Sequence, residues 1–110
     1  MATFEEFLKI DLRVGTIVKA EPFPAAKKPA IKMEIDFGAE IGIKRSSAQL
    51  TVHYTPEGLV GRQVVAVVNF PVRRIATFDS EVLVLGALPV PSEVVLLKLD
   101  HPVANGTRIG

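Results

Sequence analysis

The residues best suited to chemistry in this 110-residue chain are cations and small polar groups rather than nucleophiles or metal ligands. Basic and acidic residues nearly cancel, 13 against 12, but their positions are uneven. Residues 1–36 are balanced, residues 37–80 carry a net charge of +2 and residues 81–110 a net charge of −1. The central surplus comprises Lys44, Arg45, Arg62, Arg73 and Arg74, interleaved with Ser46, Ser47, Asn69 and Ser80. Cations beside hydroxyl and amide donors suit anion contact, through charge-assisted hydrogen bonds. A total of only +1 argues against indiscriminate attraction to polyanions, so any such contact depends on these groups converging on one face.

Other chemistries are poorly served. Without cysteine there is no disulfide framework, thiolate nucleophile or thiolate zinc site, and His53 and His101 lie far apart, so no metal or cofactor is expected. The run Asp79-Ser80-Glu81 has a hydroxyl between carboxylates, but no histidine is close in sequence and no elbow glycines flank the serine. Phosphate-cradling glycine loops are absent as well, and no enzymatic activity is expected. His53 and Tyr54 read as an aromatic pair anchoring a loop.

Local patterning supplies the elements that hold these residues. Thr3 and Glu6 form a capping-box pattern, with Phe4, Phe7 and Leu8 at helical spacing, so residues 1–10 contain a short helix with an apolar stripe. Residues 12–20 favour a strand, in which Gly15 suggests a bulge or sharp bend. Residues 21–30, with three prolines beside Lys27 and Lys28, are expected to be an exposed loop. Ile31, Met33, Ile35 and Phe37 alternate with Lys32, Glu34 and Asp36, a half-buried strand with Lys32 facing outward. By itself such a lysine is an ordinary solvated residue.

Gly38 allows a turn into a strand over 41–49 whose later half is polar. Thr55-Pro56 caps a helical turn stopped at Gly61, and the β-branched run 63–68 reads as a buried central strand. Residues 72–80 are expected to be a loop carrying two arginines. Strands over 81–85 and 94–99, separated by a turn with Pro89 and Pro91, complete the set before a turn at Asn105-Gly106. Five main strands, a bend in the first and a helical turn between the third and fourth predict an all-β domain over 1–110: a five-stranded Greek-key OB-fold barrel with an N-terminal helix, residues 11–110 forming the barrel and a C-terminal extension. An SH3-like barrel is the alternative. The first ten residues lack the basic flank and long apolar run of a signal peptide and no segment is long enough to span a bilayer, so a cytoplasmic setting without membrane insertion is expected.

Several ordered blocks carry a more specific signal. The strings IDLRVG (10–15), KMEIDFG (32–38), LVGRQVVAVVNF (59–70) and SEVLVLGA (80–87) resemble the tRNA-binding domain family, which includes the C-terminal appendage of bacterial methionyl-tRNA synthetases. KRSSAQL (44–50), HYTPE (53–57), the stretch 68–86 and the closing NGTRIG are similar to its export-related chaperone branch. The resemblance implies RNA-facing roles for Lys32, Ser47, Asn69, Arg73 and Ser80, all present here. Where tRNA-binding members read Ser-Glu-Gly-Met, this chain reads Ser80-Glu81-Val82-Leu83, without the flexible glycine and the soft methionine. The chaperone branch implies a homodimer, with Phe4, Phe7 and Leu8 at the interface, that binds unfolded preproteins and hands them to the secretion motor. Phe70 would then add an apolar contact to the face. In the alternative, tRNA is the partner, with Lys44 or Arg45 joining Lys32 and Arg73 on phosphates.

Overall fold

Alternation of apolar and polar residues shapes most of the chain. The computed structural model describes residues 1–110. Helix α1 (Phe4–Leu8) precedes β1 (Leu12–Pro22), β2 (Ile31–Asp36) and β3 (Ile43–Ala48). Helix α2 (Pro56–Leu59) and β4 (Gln63–Val67) follow, and then β5 (Arg73–Ile75), β6 (Phe78–Ser80), β7 (Leu83–Val84), β8 (Gly86–Val90) and β9 (Glu93–Leu96). One antiparallel sheet runs in the order β3-β2-β1-β4-β7, while β5–β6 and β8–β9 are separate hairpins. A fourth strand returning beside the first of a three-strand meander is a Greek key, and the sheet curls into the nearly closed OB-type barrel that the sequence predicts.

Strand β1 makes the curl possible because it serves two neighbours in succession. Residues Leu12 to Thr16 pair with β4, and Thr16 to Pro22 pair with β2. The irregularity falls between Ile17 and Lys19, where the pairing changes hands, and not at Gly15 as expected. Gly15 serves close packing instead: a Cβ there would lie 2.6 Å from Ile35 Cγ2 and 2.7 Å from Phe37 Cδ1. The edge of β1 that β2 leaves open is taken by the end of the chain, through Val14 N–H to Thr107 O (2.9 Å), Gly106 N–H to Val14 O (2.7 Å) and Ile109 N–H to Leu12 O (2.9 Å). Arg13 braces this segment, donating to Gly106 O at 3.0 Å and to Asp11 at 2.7 Å; the bond to Asp11 raises the guanidinium pKa against the opposing effect of burial.

The core follows the predicted period. Ile31, Met33 and Ile35 of β2 and Val64 to Val67 of β4 are buried, and Ile17, Phe37, Leu50, Leu59, Val82 and Val84 complete the interior. Helix α2, capped by Thr55, drives Leu59 into one end of the barrel. Four local readings differ in the structure. Residues 72–80 are a β-hairpin rather than a loop, turning at Ala76 with φ of 53°. Pro89 lies within β8, and the 81–85 strand shrinks to Leu83–Val84. In the loop 23–30, Phe23 and Ala30 are buried, and Phe23 N–H bonds Ala30 O at 3.1 Å, so the loop has a closed neck.

Substituting Gly15→Ala is expected to cost about 1–3 kcal/mol through overpacking, because the new methyl meets two fully buried side chains. A urea unfolding midpoint equal to that of the parent would contradict this close-packing role.

Candidate functional site

Strands β2 and β3 place their side chains in register across two faces. Lys32 sits opposite Ser47 and Glu34 opposite Arg45 on the outer face, whereas Met33 opposite Ser46 and Ile35 opposite Lys44 lie on the core side. Lys44 is therefore on the other face of β3 from Arg45 and Ser47. Next to β3, the Ser47 N–H donates to Ser80 Oγ at 3.1 Å, and Ser80 pairs across its hairpin with Arg73. Lys32, Ser47, Ser80 and Arg73 thus form one continuous row across four strands. The structure brings these four predicted residues together.

The seam between β3 and the 80–82 segment is unusual in being closed largely by side chains. Glu81 N–H reaches Arg45 O at 2.8 Å, but the Arg45 N–H is accepted by Glu81 Oε1 at 3.0 Å and the Ser47 N–H by the Ser80 hydroxyl. Fully buried Ser46 donates to Val82 O at 3.0 Å. Val82, at the position that departs from the tRNA-binding pattern, is packed in the core, while Leu83 is 48% exposed.

On the outer face the cations are already paired. Lys32 Nζ lies 3.3 Å from Glu21, and Arg45 is within 3.6 Å of Glu81 and 3.9 Å of Asp79. Lys19 approaches Glu34 at 3.7 Å, and Arg74 holds Asp79 at 3.0 Å. Phe23 and Phe78 meet edge to face at 5.4 Å, with Lys32 5.4 Å from the Phe23 centroid and Arg45 5.3 Å from that of Phe78. These aromatics, which the sequence reading did not single out, tie the loop 23–30 to the β5–β6 hairpin and hold the two cations in position.

Beside this face lies a cleft of about 630 Å³ between the loop 23–30, the end of β3 and the β5–β6 hairpin. Ala30, Ala48 and Ile75 give it an apolar floor, and Lys27, Lys28, Arg73 and Arg74 line it with charge; Ser47 links it to the row. Lys27 and Lys28 were legible only as a lysine pair in a proline-rich loop, a pattern that says nothing about which neighbour they face. Asn69 and Phe70 stand apart from the row. The Asn69 amide accepts from Asp11 N–H at 2.9 Å and donates to Lys9 O at 2.7 Å, tying the end of β4 to the start of β1. Phe70 beside it is 43% exposed.

The apolar stripe of α1 has no cover on its own barrel. Thr3 and Glu6 make both bonds of the capping box, yet no residue of the helix is buried; Phe4 is 73% exposed and stacks only on Phe7, at 6.4 Å between centroids. His53 bonds Glu93, and Tyr54 accepts the Leu96 N–H at 3.0 Å, so this pair anchors the β8–β9 hairpin.

Comparison with known proteins supplies the context. Residues 12–108 match the family described as "Putative tRNA binding domain". The methionine–tRNA ligase of Porphyromonas gingivalis is 35% identical over 106 residues, covering 96% of this chain but 15% of the ligase, so the chain spans less than a fifth of the length of that relative. Among solved structures, chaperone CsaA from Bacillus anthracis superposes with a TM-score of 0.95 at 57% identity, covering 100% of this chain and 99% of that one. The CsaA chaperone from Picrophilus torridus gives 0.91 at 46% identity, with both chains fully covered.

Removing the seam hydroxyl in Ser46→Ala is expected to cost about 1–3 kcal/mol, since it leaves the Val82 carbonyl without its side-chain donor in a buried setting. Lys44→Ala, which breaks no ion pair, should change stability by less than about 0.5 kcal/mol. Equal urea midpoints for the two variants would show that the seam does not depend on Ser46.

Proposed function

We propose that this chain, which belongs to the tRNA-binding domain family, is a CsaA-like chaperone: a cytoplasmic homodimer that binds unfolded or export-bound polypeptide and passes it to the secretion motor. The observation that carries this reading is the likeness to chaperone CsaA of Bacillus anthracis, with a TM-score of 0.95 at 57% identity, against 35% identity to the ligase. The row Lys32, Ser47, Ser80 and Arg73, with Arg45 and the adjoining cleft, forms the proposed binding face. Its mixture of methyl groups, hydroxyls and cations suits an extended chain of varied sequence, for which adaptable polar contacts matter more than one deep apolar pocket.

The uncovered α1 stripe supports a dimer, because a second copy would bury Phe4, Phe7 and Leu8, which the protein's own barrel leaves exposed. Two copies would also join two binding faces into a longer surface. A second reading, tRNA binding on the same face, is favoured by the family match and by the unpaired cations Lys27, Lys28 and Arg73 near the row. In that reading Lys32 and Arg73 contact the RNA backbone or splayed bases.

Salt separates the two. RNA held by several cations loses affinity steeply as salt rises, whereas polypeptide held in part by apolar burial loses less. Anisotropy with a labelled unfolded polypeptide is expected to show binding that persists at moderate salt and resists unlabelled tRNA; displacement by tRNA, with tight and salt-steep tRNA binding, would establish the second reading. Replacing both Phe4 and Phe7 with serine is expected to move the sedimenting species from dimer to monomer. A dimer surviving that change would put the interface elsewhere.

A further inference from the structure

We infer that the cleft between the loop 23–30 and the β5–β6 hairpin selects acidic segments of an extended polypeptide, with Lys27, Lys28 and Arg73 as the specificity-determining residues; this rests on the polypeptide-binding reading above. The key observation is an asymmetry between two adjacent surfaces. Lys32 and Arg45 on the outer face each have a carboxylate partner within 3.9 Å, and of the four cations lining the cleft only Arg74 is paired, with Asp79 at 3.0 Å. In the cleft, Lys27, Lys28 and Arg73 make no ion pair, and no carboxylate lies on its wall. Cations converging on a concave wall focus their field into it, whereas cations already neutralised do not. The planar guanidinium of Arg73 adds a fork suited to a carboxylate.

Shape and composition favour a polypeptide over RNA here. No aromatic ring lines the cleft, so a nucleobase entering it has nothing to stack on, and stacking is the main sequence-tolerant contact of single-stranded RNA. The aromatics Phe23 and Phe78 are occupied instead with each other and with Lys32 and Arg45. A volume of about 630 Å³ holds a short stretch of chain, and the methyl groups of Ala30, Ala48 and Ile75 leave space for a backbone to lie against the floor. The walls are preorganised by the Phe23 to Ala30 neck bond and by the Phe23–Phe78 contact, which limits the ordering cost on binding. Client choice is then partly electrostatic: glutamate- or aspartate-bearing stretches are held at the cleft, and lysine-rich stretches are refused.

The test uses the full chain and three labelled, unstructured peptides of equal length and apolar content, bearing glutamate, glutamine or lysine at the same positions. The glutamate peptide is expected to bind about tenfold more tightly than the glutamine peptide at low salt, with the gap narrowing as salt rises. The paired change Lys27→Glu and Lys28→Glu should reverse the order in favour of the lysine peptide, Lys27→Arg with Lys28→Arg should preserve it, and Arg73→Ser should reduce the gap, all with unchanged thermal unfolding. Equal binding of all three peptides by the parent would overturn the selectivity and leave the polypeptide-binding reading intact. Failure to bind any of them would overturn both. If unlabelled polyuridine displaces the glutamate peptide and its own binding is lost in the Lys27→Glu, Lys28→Glu variant, the cleft is an RNA site and the inference falls.

Discussion

The closure of the barrel at β3 is the constraint on which the rest of the molecule depends. A curled five-stranded sheet leaves β3 with a free edge, and unpaired backbone groups on such an edge are costly when buried and invite unwanted pairing when exposed. Here Ser80 and Glu81 supply side-chain acceptors in place of a regular ladder, Glu81 adds one main-chain bond, and Ser46 secures Val82 from inside. The same short segment therefore seals the barrel and fixes the β5–β6 hairpin against β3. Because Ser80 pairs with Arg73, sealing the barrel also sets the position of the arginine beside Ser47 and Lys32.

This coupling organises the surface of a small chain. With 110 residues there is one core and little interior to spare. The surfaces left for contact are the outer face and the appendages that the core leaves outside: the loop 23–30, the β5–β6 hairpin and α1. The first two are pinned together by Phe23 and Phe78 and make a cleft. The third is well capped and unburied, a local structure whose apolar side has no counterpart on its own barrel.

Charge is distributed with the same economy. The protein is nearly neutral, and most cations of the outer face are matched by carboxylates one strand away, which limits non-specific attraction. The exceptions cluster at the cleft. Counting charge by segment points to residues 37–80 as the basic region, and Arg73 does come from there. Lys27 and Lys28, however, belong to a segment that is neutral by count, because Glu5 and Glu6 offset them in sequence while sitting on α1. Lys44, counted with the surplus, lies on the opposite face of β3 from Arg45.

Local rules account for much of the fold. The alternation through Ile31 to Phe37, the caps at Thr3 and Thr55 and the β-branched run of β4 act over two to four residues, and the structure follows them closely. The number and order of these elements made the barrel legible, and ordered motifs along the chain pointed to the family. Tertiary structure decided which groups are free to act. Gly15 serves packing against Ile35 and Phe37 rather than a bulge, Asn69 spends its amide on Lys9 and Asp11, and Lys32 is paired while Lys27 and Lys28 are not. Each of these outcomes depends on strand register or loop placement between residues distant along the chain. Charge pairing and hydrogen-bond satisfaction are set by those long-range neighbours, and no local pattern encodes them.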